Sequence, residues 1–498
     1  MRFLQFAHLA ILILFLGCSE CPTIYLAQGI MSGEATENSI ILQSRLTATD
    51  TLVNGDIPGV MGTGRFEVSE DSSFSNSMYS EWLTSDSLSD FILKYQFQEL
   101  MPATRYFYRL HYGSKKKNTR TSAAGTFKTI SGAGELEENS LVVVTGMNYY
   151  HFHYGNYEGS RAYSGADKHL GYPALKSILL LKPEYFIGTG DNVYFDHPNE
   201  NNFQNSKNRG RDPHPGGYDG KEVTDEKGMR RKYHEQLCQT RYKDLFAEVA
   251  TYWEKDDHDY RMNDADPYID FPISHELGIK NFKEQLPVII HGSNEKTYRT
   301  HRLNKDLQLW FVEGRDYRDA NLKEDGPDKT LWGEEQISWL KATLLESDAT
   351  FKILISPTPM VGPDDASKRD NHVNPEGFRY EGEAFFDWLV AHGFLEKNFY
   401  IVCGDRHWQY HATHPKGIEE YSCGALVDNN SRAGRMAGDP KSTDPEGKII
   451  QHYVQGTPEE ASGGFLNIIN KTGTLPELHF DYYDEHGTLL YRAVKKAG

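Results

Sequence analysis

The stretch "YFIGTGDNVY" at residues 185–194 decides the fold, because it is a short apolar run that ends in a carboxylate next to a glycine. The first five residues carry no charge, which predicts a strand buried on both faces, as in a parallel sheet. Pro183 separates this strand from a helix predicted within residues 170–181, "LGYPALKSILLL". A helix followed by a buried strand is the repeating unit of an α/β domain.

The same form recurs outward from this stretch. Apolar runs that end in polar tips are "LVVVTG" (141–146), "QLWFVEG" (308–314), "FKILISPTPM" (351–360) and "FYIVCGDRHW" (399–408). Helices are predicted within "GEEQISWLKATLLES" (333–347) and "GEAFFDWLVAHGF" (382–394). This alternation predicts an α/β sandwich over residues 140–498, and such folds place their sites at the ends of strands. Residues 199–229 lack an apolar period and are interpreted as an excursion over the site.

The region before this domain has a different sequence pattern. Residues 23–130 predict strands such as "NSIILQSRL" (38–46) and "FILKYQFQEL" (91–100), separated by Gly, Asp and Ser turns. The pattern L-x-P-x-T-x-Y-x-Y-R at 100–109 places alternating tyrosines in a core. The region therefore resembles a small immunoglobulin-like sandwich of the fibronectin type III kind, joined by a Gly/Glu linker at 131–140.

Composition excludes several classes. The chain has 498 residues, 38% of them hydrophobic, which is enough apolar side chain for a sizeable core and excludes a disordered chain. Its 53 basic and 71 acidic residues give a net charge of −18, which disfavours a nucleic-acid partner. A small phosphorylated substrate stays possible, because bound metal ions would invert the local charge.

The first 18 residues predict export. Arg2 precedes the apolar run "LAILILFLG" (9–17), which is too short to span a bilayer and is typical of a secretion signal. Gly17-Cys18 resembles a bacterial lipoprotein cleavage site, which implies the cell envelope as location and a lipid anchor at Cys18. Ordinary secretion and an uncleaved anchor are the alternatives. Cys403 and Cys423 lie in apolar runs and predict buried thiols.

Four strand ends concentrate hard metal ligands: Gly190–Tyr194, Asp256–Asp259, Glu313–Arg318 and Gly404–Trp408. A single Asp-x-His would be a surface loop in most chains. Its recurrence after several buried strands, which we expect to end at one sheet edge, instead favours two divalent cations. Such a pair needs carboxylate and imidazole ligands from several strands and one bridging carboxylate.

The motifs "GTGDNVYFD", "DDHDY", "FVEGRDYR", "ISPTPM" and "CGDRHW" follow one another behind the predicted sandwich. In this order they resemble the PhoD-like alkaline phosphatase/phosphodiesterase family of the calcineurin-like metallophosphatase superfamily. The resemblance runs from about Gln28 to the C-terminal strands. It implies a metal-dependent hydrolase whose substrate is a phosphorylated small molecule or a lipid or polymer phosphoester.

The resemblance also implies roles for individual residues. Asp191 corresponds to the metal-bridging aspartate, and Tyr194 to a tyrosine ligand. Asp257 stands at a metal-binding position, followed by His258, which stabilises the transition state or protonates the leaving oxygen. Asp405 and His407 correspond to the last ligand pair. For the two arginines, the resemblance implies catalysis by Arg315 and substrate binding by Arg318, although either guanidinium could instead pair with a neighbouring aspartate.

The first motif departs from the family. The family has a Cys or Asp ligand there, whereas this chain has Thr145-Gly146-Met147-Asn148. Asn148 is the candidate ligand through its amide oxygen, and Tyr149 is an alternative. Loss of an anionic ligand disfavours ferric iron and favours Ca²⁺, Zn²⁺, Mn²⁺ or Mg²⁺. An empty site is the alternative. A Gly146→Cys variant would restore a thiolate if the two motifs are in register.

Two other functions stay open. The altered first motif is compatible with a degenerate metallophosphatase fold that only binds a surface glycan or protein. The metals could also serve the hydrolysis of another ester, because fold does not fix function. The sequence does not decide between monoesters and diesters, nor does it give an oligomeric state.

Overall fold

The computed structural model describes residues 23–155, 162–198, 223–289, 296–455 and 462–497. The predicted signal with Cys18, and residues 199–222 of the predicted excursion, lie outside this range. Within the described ranges, every helix is too short or too polar to cross a membrane.

Residues 23–130 form strands, as predicted. They are β1 (Ile30–Gly33), β2 (Ile40–Arg45), β3 (Gly62–Ser69), β4 (Ser77–Tyr79), β5 (Leu83–Ser85), β6 (Ile92–Phe97), β7 (Arg105–Lys115), β8 (Asn118–Thr121) and β9 (Gly125–Lys128). Six of them, β3–β5 and β7–β9, build one antiparallel sheet. Tyr106 and Tyr108 on β7 are buried, which confirms that the alternating tyrosines of the pattern at 100–109 belong to the core.

The remaining strands belong to a two-sheet sandwich. They are β10 (Asn139–Val144), β11 (Tyr185–Thr189), β12 (Ala250–Glu254), β13 (Arg299–Arg302), β14 (Leu307–Phe311), β15 (Phe351–Ser356), β16 (Phe399–Cys403), β17 (Gln409–Thr413), β18 (Glu419–Cys423), β19 (Ile450–Val454), β20 (Gly464–Lys471), β21 (Glu477–Asp484) and β22 (Leu489–Lys496). The helices are α1 (Tyr149–Tyr154), α2 (Pro173–Leu181), α3 (Glu226–Leu237), α4 (Thr240–Glu248), α5 (His275–Gln285), α6 (Glu334–Glu346) and α7 (Arg379–Ala391).

The two sheets pack face to face, with helices on both outer faces. The nine-stranded sheet runs β22-β21-β20-β10-β11-β12-β1-β2-β6, and the seven-stranded sheet runs β13-β14-β15-β16-β18-β17-β19. Ile187 and Tyr252 of the first sheet share one buried core with Ile353 and Val402 of the second. The apolar residues on the other face of β10–β12 pack with residues of α2–α5, and those on the other face of β14–β16 with residues of α6 and α7. The predicted α/β sandwich is confirmed.

The N-terminal strands are shared with this sandwich. β1 pairs in parallel with β12, with Gly33 opposite Thr251, and β2 and β6 extend the sheet beyond it. The Lys94 ammonium on β6 donates to the carbonyls of Glu284 and Leu286 at the C-terminus of α5. The sequence did not indicate this continuity, because strand partners are non-local.

Two local expectations need correction. Residues 226–229 were interpreted as part of an irregular excursion but form the first turn of α3. The ligand-bearing tips were expected at one sheet edge, yet they come from both sheets: β11 and β12 belong to one, β14 and β16 to the other. Cys403 and Cys423 are free and buried, as predicted.

Candidate metal centre

The turn after β11 is built to present a carboxylate. Gly190 has φ +99°, and a Cβ there would lie 2.5 Å from Cβ of Asp256. Asp191 follows with φ +54°, a left-handed conformation that costs energy outside glycine. The Asp259 carboxylate accepts the backbone N–H groups of Asp191 (3.2 Å), Asn192 (3.3 Å) and Asp256 (2.8 Å). This carboxylate therefore holds the turn after β11 against the turn after β12.

Three hard ligand atoms converge beside that turn. The Tyr194 hydroxyl lies 2.8 Å from Oδ2 of Asp191 and 3.2 Å from Nε2 of His407. His407 Nε2 also lies 3.2 Å from the same Asp191 oxygen. His407 comes from the turn after β16, where Asp405 also has positive φ (+57°). The side chains of Asp191, Tyr194 and His407 thus connect a strand end of one sheet with a strand end of the other.

The electrostatics of this group fit a cation. Oδ1 of Asp191 is buried and has no hydrogen-bond partner among the described residues. Burial, reinforced by the charges of Asp257 and Asp405, raises the pKa of Asp191 well above its usual range, although His258 opposes the shift. A buried carboxylate is ionised at neutral pH only when positive charge compensates it. The residues present therefore fit a metal ion.

A second acidic group lies next to the first. Single ligand atoms of Asp191, Asp257 and His258 lie within 4.8 Å of one another, and so do those of Asp257, Asp264 and Asp370. Burial opposes ionisation of Asp257, but the charges of His258 and Arg315 hold its pKa below the usual range. Asp191 and Asp257 each belong to two groupings of candidate ligand atoms, so these groupings adjoin one another.

His258 is oriented by a carboxylate that the sequence analysis did not identify. Its Nδ1 lies 2.7 Å from Oδ1 of Asp196, whose other oxygen accepts the Asn263 N–H at 2.9 Å. Burial opposes protonation, but Asp196, Asp257 and Asp191 together raise the pKa of His258 well above its usual range. The surrounding carboxylates therefore favour the protonated form of the imidazole.

The Asn148 side chain makes other contacts than the metal ligation expected of its amide oxygen. Its side-chain oxygen accepts the His151 N–H at 2.9 Å and caps α1, while its amide nitrogen lies 2.7 Å from Nδ1 of His197. The neighbour of the tyrosine is instead Asn430, whose amide donates to the Tyr194 hydroxyl (2.8 Å). A neutral amide thus stands beside Tyr194.

Gly146 cannot take the suggested Cys without displacing its neighbours. It has φ +67°, and a Cβ there would lie 2.8 Å from Cβ of Ala425. A Cys at position 146 would therefore strain the turn after β10.

The two arginines of the third motif are buried rather than open to substrate. Arg315 is 0% exposed and pairs with Asp256 (2.6 Å) and Asp370 (3.4 Å). Arg318 is 1% exposed and donates to the Gly314 carbonyl (2.6 Å). The expectation that Arg315 is catalytic and that Arg318 binds substrate does not fit these contacts, because neither side chain reaches open space.

Sequence reasoning missed the partners that lie away from the strand tips. They are His151, Asp196, His197, Asp370 and Asn430. The sequence carries a signal for Asp196 and His197, which end the motif "GTGDNVYFDH". Asp370 and Asn430 lie in irregular segments whose place in the fold only the tertiary structure defines.

Two facing sheets with helices on their outer faces, and with carboxylates, an imidazole and a tyrosine at their strand ends, define an α/β sandwich of the class that can hold metal ions at its strand ends. Comparison with family models gives the particular family. The PhoD-like phosphatase model matches residues 143–440, and the model of the PhoD-like phosphatase N-terminal domain matches residues 20–131. The chain belongs to the PhoD-like phosphatase family.

Individual relatives are more distant. Alkaline phosphatase D of Bacillus subtilis (strain 168) is 22% identical over 348 residues, which cover 66% of this chain and 54% of that protein. The chain thus spans about half the length of this curated relative. The solved structure of PhoD matches with a TM-score of 0.70 at 17% identity, covering 96% of this chain and 90% of that one. Purple acid phosphatase PPD1 from yellow lupin (Lupinus luteus) matches with a TM-score of 0.56 at 12% identity, covering 93% of this chain and 73% of that one.

Proposed function

We propose that the chain is a metal-dependent phosphoester hydrolase. The observation that carries the proposal is the convergence of the Tyr194 hydroxyl and His407 Nε2 on Oδ2 of Asp191, whose other oxygen, Oδ1, is buried without a hydrogen-bond partner among the described residues. Membership of the PhoD-like phosphatase family supports it.

The proposed ligands come from both sheets. Asp191, Tyr194 and His407 would hold one ion, and Asp257 and Asp405 would hold a second that shares Asp191. Arg406 pairs with Asp405 and with Asp364, which fixes the orientation of the Asp405 carboxylate. Bound divalent ions would supply positive charge to the phosphoryl oxygens and a nucleophile at neutral pH.

Side chains of the protein would supply the proton that the leaving oxygen takes up. Asp196 holds the His258 imidazole through Nδ1, which leaves Nε2 to donate to the leaving oxygen. Arg315 acts as a positioning residue, because its pair with Asp256 fixes the turn that carries Asp257 and His258.

The ligand set favours divalent ions. The position beside Tyr194 holds the neutral amide of Asn430, and Asn148 is engaged as a helix cap. Ferric iron prefers hard anionic ligands, so Ca²⁺, Zn²⁺, Mn²⁺ or Mg²⁺ fits better.

Metal removal and return test the proposal. Chelation of the purified protein should abolish turnover of an aryl phosphate, and one of the four divalent ions alone should restore it. The absorption spectrum should lack the visible band of an iron–tyrosinate. A coloured protein with stoichiometric iron would refute the divalent assignment. A metal-loaded protein without turnover of mono- or diesters would favour the degenerate binding protein.

Export belongs to the same proposal. A signal at residues 1–18 would place the enzyme in the cell envelope, lipid-anchored at Cys18, so a Cys18→Ser variant should leave the membrane fraction.

A further inference from the structure

The segment 428–432 contacts two side chains of the proposed metal centre. Asn430 donates to the Tyr194 hydroxyl (2.8 Å) and to the Gly146 carbonyl (3.1 Å). Two residues later, the Arg432 N–H donates to the His407 carbonyl at 3.1 Å. One short segment therefore joins both proposed ligands, with Asn430 buried inside and Arg432 at the rim.

The Arg432 side chain is held in place, but the N–H donors of its guanidinium remain available for a ligand. Its guanidinium lies over the Trp408 ring, 5.1 Å from the centroid, and 43% of the side chain is exposed. The nearest acid, Asp365, is 3.8 Å away and is already bonded to Arg435. Among the described residues, no hydrogen-bond acceptor engages the guanidinium, whose planar fork matches the oxygens of a phosphate.

Arg432 lies beside the strand end that carries His407. Its backbone N–H donates to the His407 carbonyl at 3.1 Å, and its guanidinium covers the ring of the next residue, Trp408. Arg315, Arg318 and Arg406 also lie at the strand ends, but each is almost completely buried. Arg432 is thus the arginine of this described group that a substrate can touch.

We propose that Arg432 binds the phosphoryl group of the substrate and makes the enzyme favour phosphomonoesters over phosphodiesters. This inference rests on the proposed hydrolase function. At neutral or alkaline pH a monoester carries nearly two negative charges, whereas a diester carries one and has lost one terminal oxygen to a substituent. A cation fixed at the rim therefore stabilises the monoester more, through both Coulomb attraction and a second hydrogen bond.

The test compares Arg432→Gln and Arg432→Lys with Arg120→Gln. Arg120 is exposed on β8 of the N-terminal sheet, so its substitution changes the net charge equally at a distant place. The measurements are kcat/KM for 4-nitrophenyl phosphate and for bis(4-nitrophenyl) phosphate, binding of inorganic phosphate to the metal-loaded protein by calorimetry, and metal content.

Arg432→Gln should lower monoester kcat/KM by roughly 10–100-fold and diester kcat/KM by less than about tenfold, the range for losing a charge-assisted hydrogen bond. Phosphate binding should weaken by a similar factor to monoester turnover, at unchanged metal content. Arg432→Lys should lie in between, because it keeps the charge and loses the fork. Arg120→Gln should match the unmodified protein.

Equal losses for both substrates, or unchanged phosphate binding, would overturn the inference while leaving the hydrolase intact. If the unmodified metal-loaded protein hydrolyses neither ester, the proposed function fails. Calorimetry still decides the role of Arg432 in that case, because phosphate that binds equally well to the Gln variant refutes it.

Discussion

At the residue scale, the centre consists of buried charges that compensate one another only in part. Asp191, Asp256, Asp257 and Asp405 are set against Arg315, Arg406 and His258. Burial raises the pKa of Asp191, Asp256 and Asp405 despite these cations, so negative charge at this place is costly. Bound cations would relieve that cost, and metal loading should then also stabilise the fold.

Asp191→Asn should remove activity more completely than any other conservative change at the centre. An amide cannot bridge two ions with the same charge, so turnover should fall by more than the roughly 10–100-fold typical of a supporting residue. Metal analysis should show a parallel loss. Asp306→Asn is the control, because Asp306 is buried at the opposite end of β14 and accepts from Thr350. Full metal content with near-normal turnover in Asp191→Asn would refute the two-ion assignment.

His258→Ala should lower turnover by roughly 10²–10⁴-fold at nearly unchanged metal content, which is the range for a positioned acid. The loss should be greater for an alkyl phosphate than for 4-nitrophenyl phosphate, since a poor leaving group needs the proton more. Asp196→Asn should show the same trend with a smaller amplitude. His479→Ala, on β21, serves as the control. Loss of a full metal equivalent from His258→Ala would instead make His258 a ligand.

The sequence predicts the members of the centre that directly follow buried strands. Asp191, Asp257, His258, Asp405 and His407 all lie where an apolar run breaks into polar residues. Such a pattern does not show what a side chain touches. Arg315 therefore suggested substrate contact although it pairs with Asp256, and the exposed Arg432 carried no signal at all.

At the element scale, turn geometry limits which residues can enter the centre. Gly146→Ala should destabilise the fold by about 2–4 kcal/mol, since it combines a strained φ with a Cβ contact to Ala425. Gly438→Ala is the matched control, because Gly438 has φ +86° but open space around it, and should cost only about 1–2 kcal/mol. Denaturant unfolding gives both values. Equal costs would show that the turn after β10 relaxes freely.

Glu485, just after β21, should make the fold less stable at alkaline pH. Burial, followed by the charge of Asp428, raises its pKa to about 7. The folded state then holds the proton more tightly than the unfolded chain, whose carboxyl titrates near pH 4.5. Its contribution to stability is complete below about pH 4.5 and is lost as the pH rises to about 7.

Glu485→Gln should remove this dependence and raise the free energy of unfolding at pH 8 by up to about 3 kcal/mol. Unfolding of both proteins at pH 5 and pH 8 measures it. Glu477→Gln, at the other end of β21 and paired with Lys496 at the surface, should give no such gain. An equal difference at both pH values would exclude titration as the cause.

At the scale of the whole molecule, the N-terminal region completes the sheet that carries the centre. The sequence predicts the strands of this region because alternation and turn residues are local signals. It does not predict that β1 lies beside β12, since Gly33 and Thr251 are far apart in the chain. Side chains reinforce the contact: Glu34 pairs with Arg299, and His234 of α3 lies between Asp56 and Asp90.

A fragment of residues 131–498 should therefore not fold as an independent enzyme. Without β1, the backbone groups of β12 become an open edge, and unpaired edges promote aggregation. The fragment should lack the cooperative unfolding transition of the full chain and bind no stoichiometric metal.

As the control, a protease site inserted at the exposed residues 134–135 should allow the intact chain to be cut after folding. The two pieces should stay together and keep their turnover, because strand pairing and the ion pairs hold them. A soluble, metal-loaded and active 131–498 fragment would show that the shared sheet is dispensable for the centre.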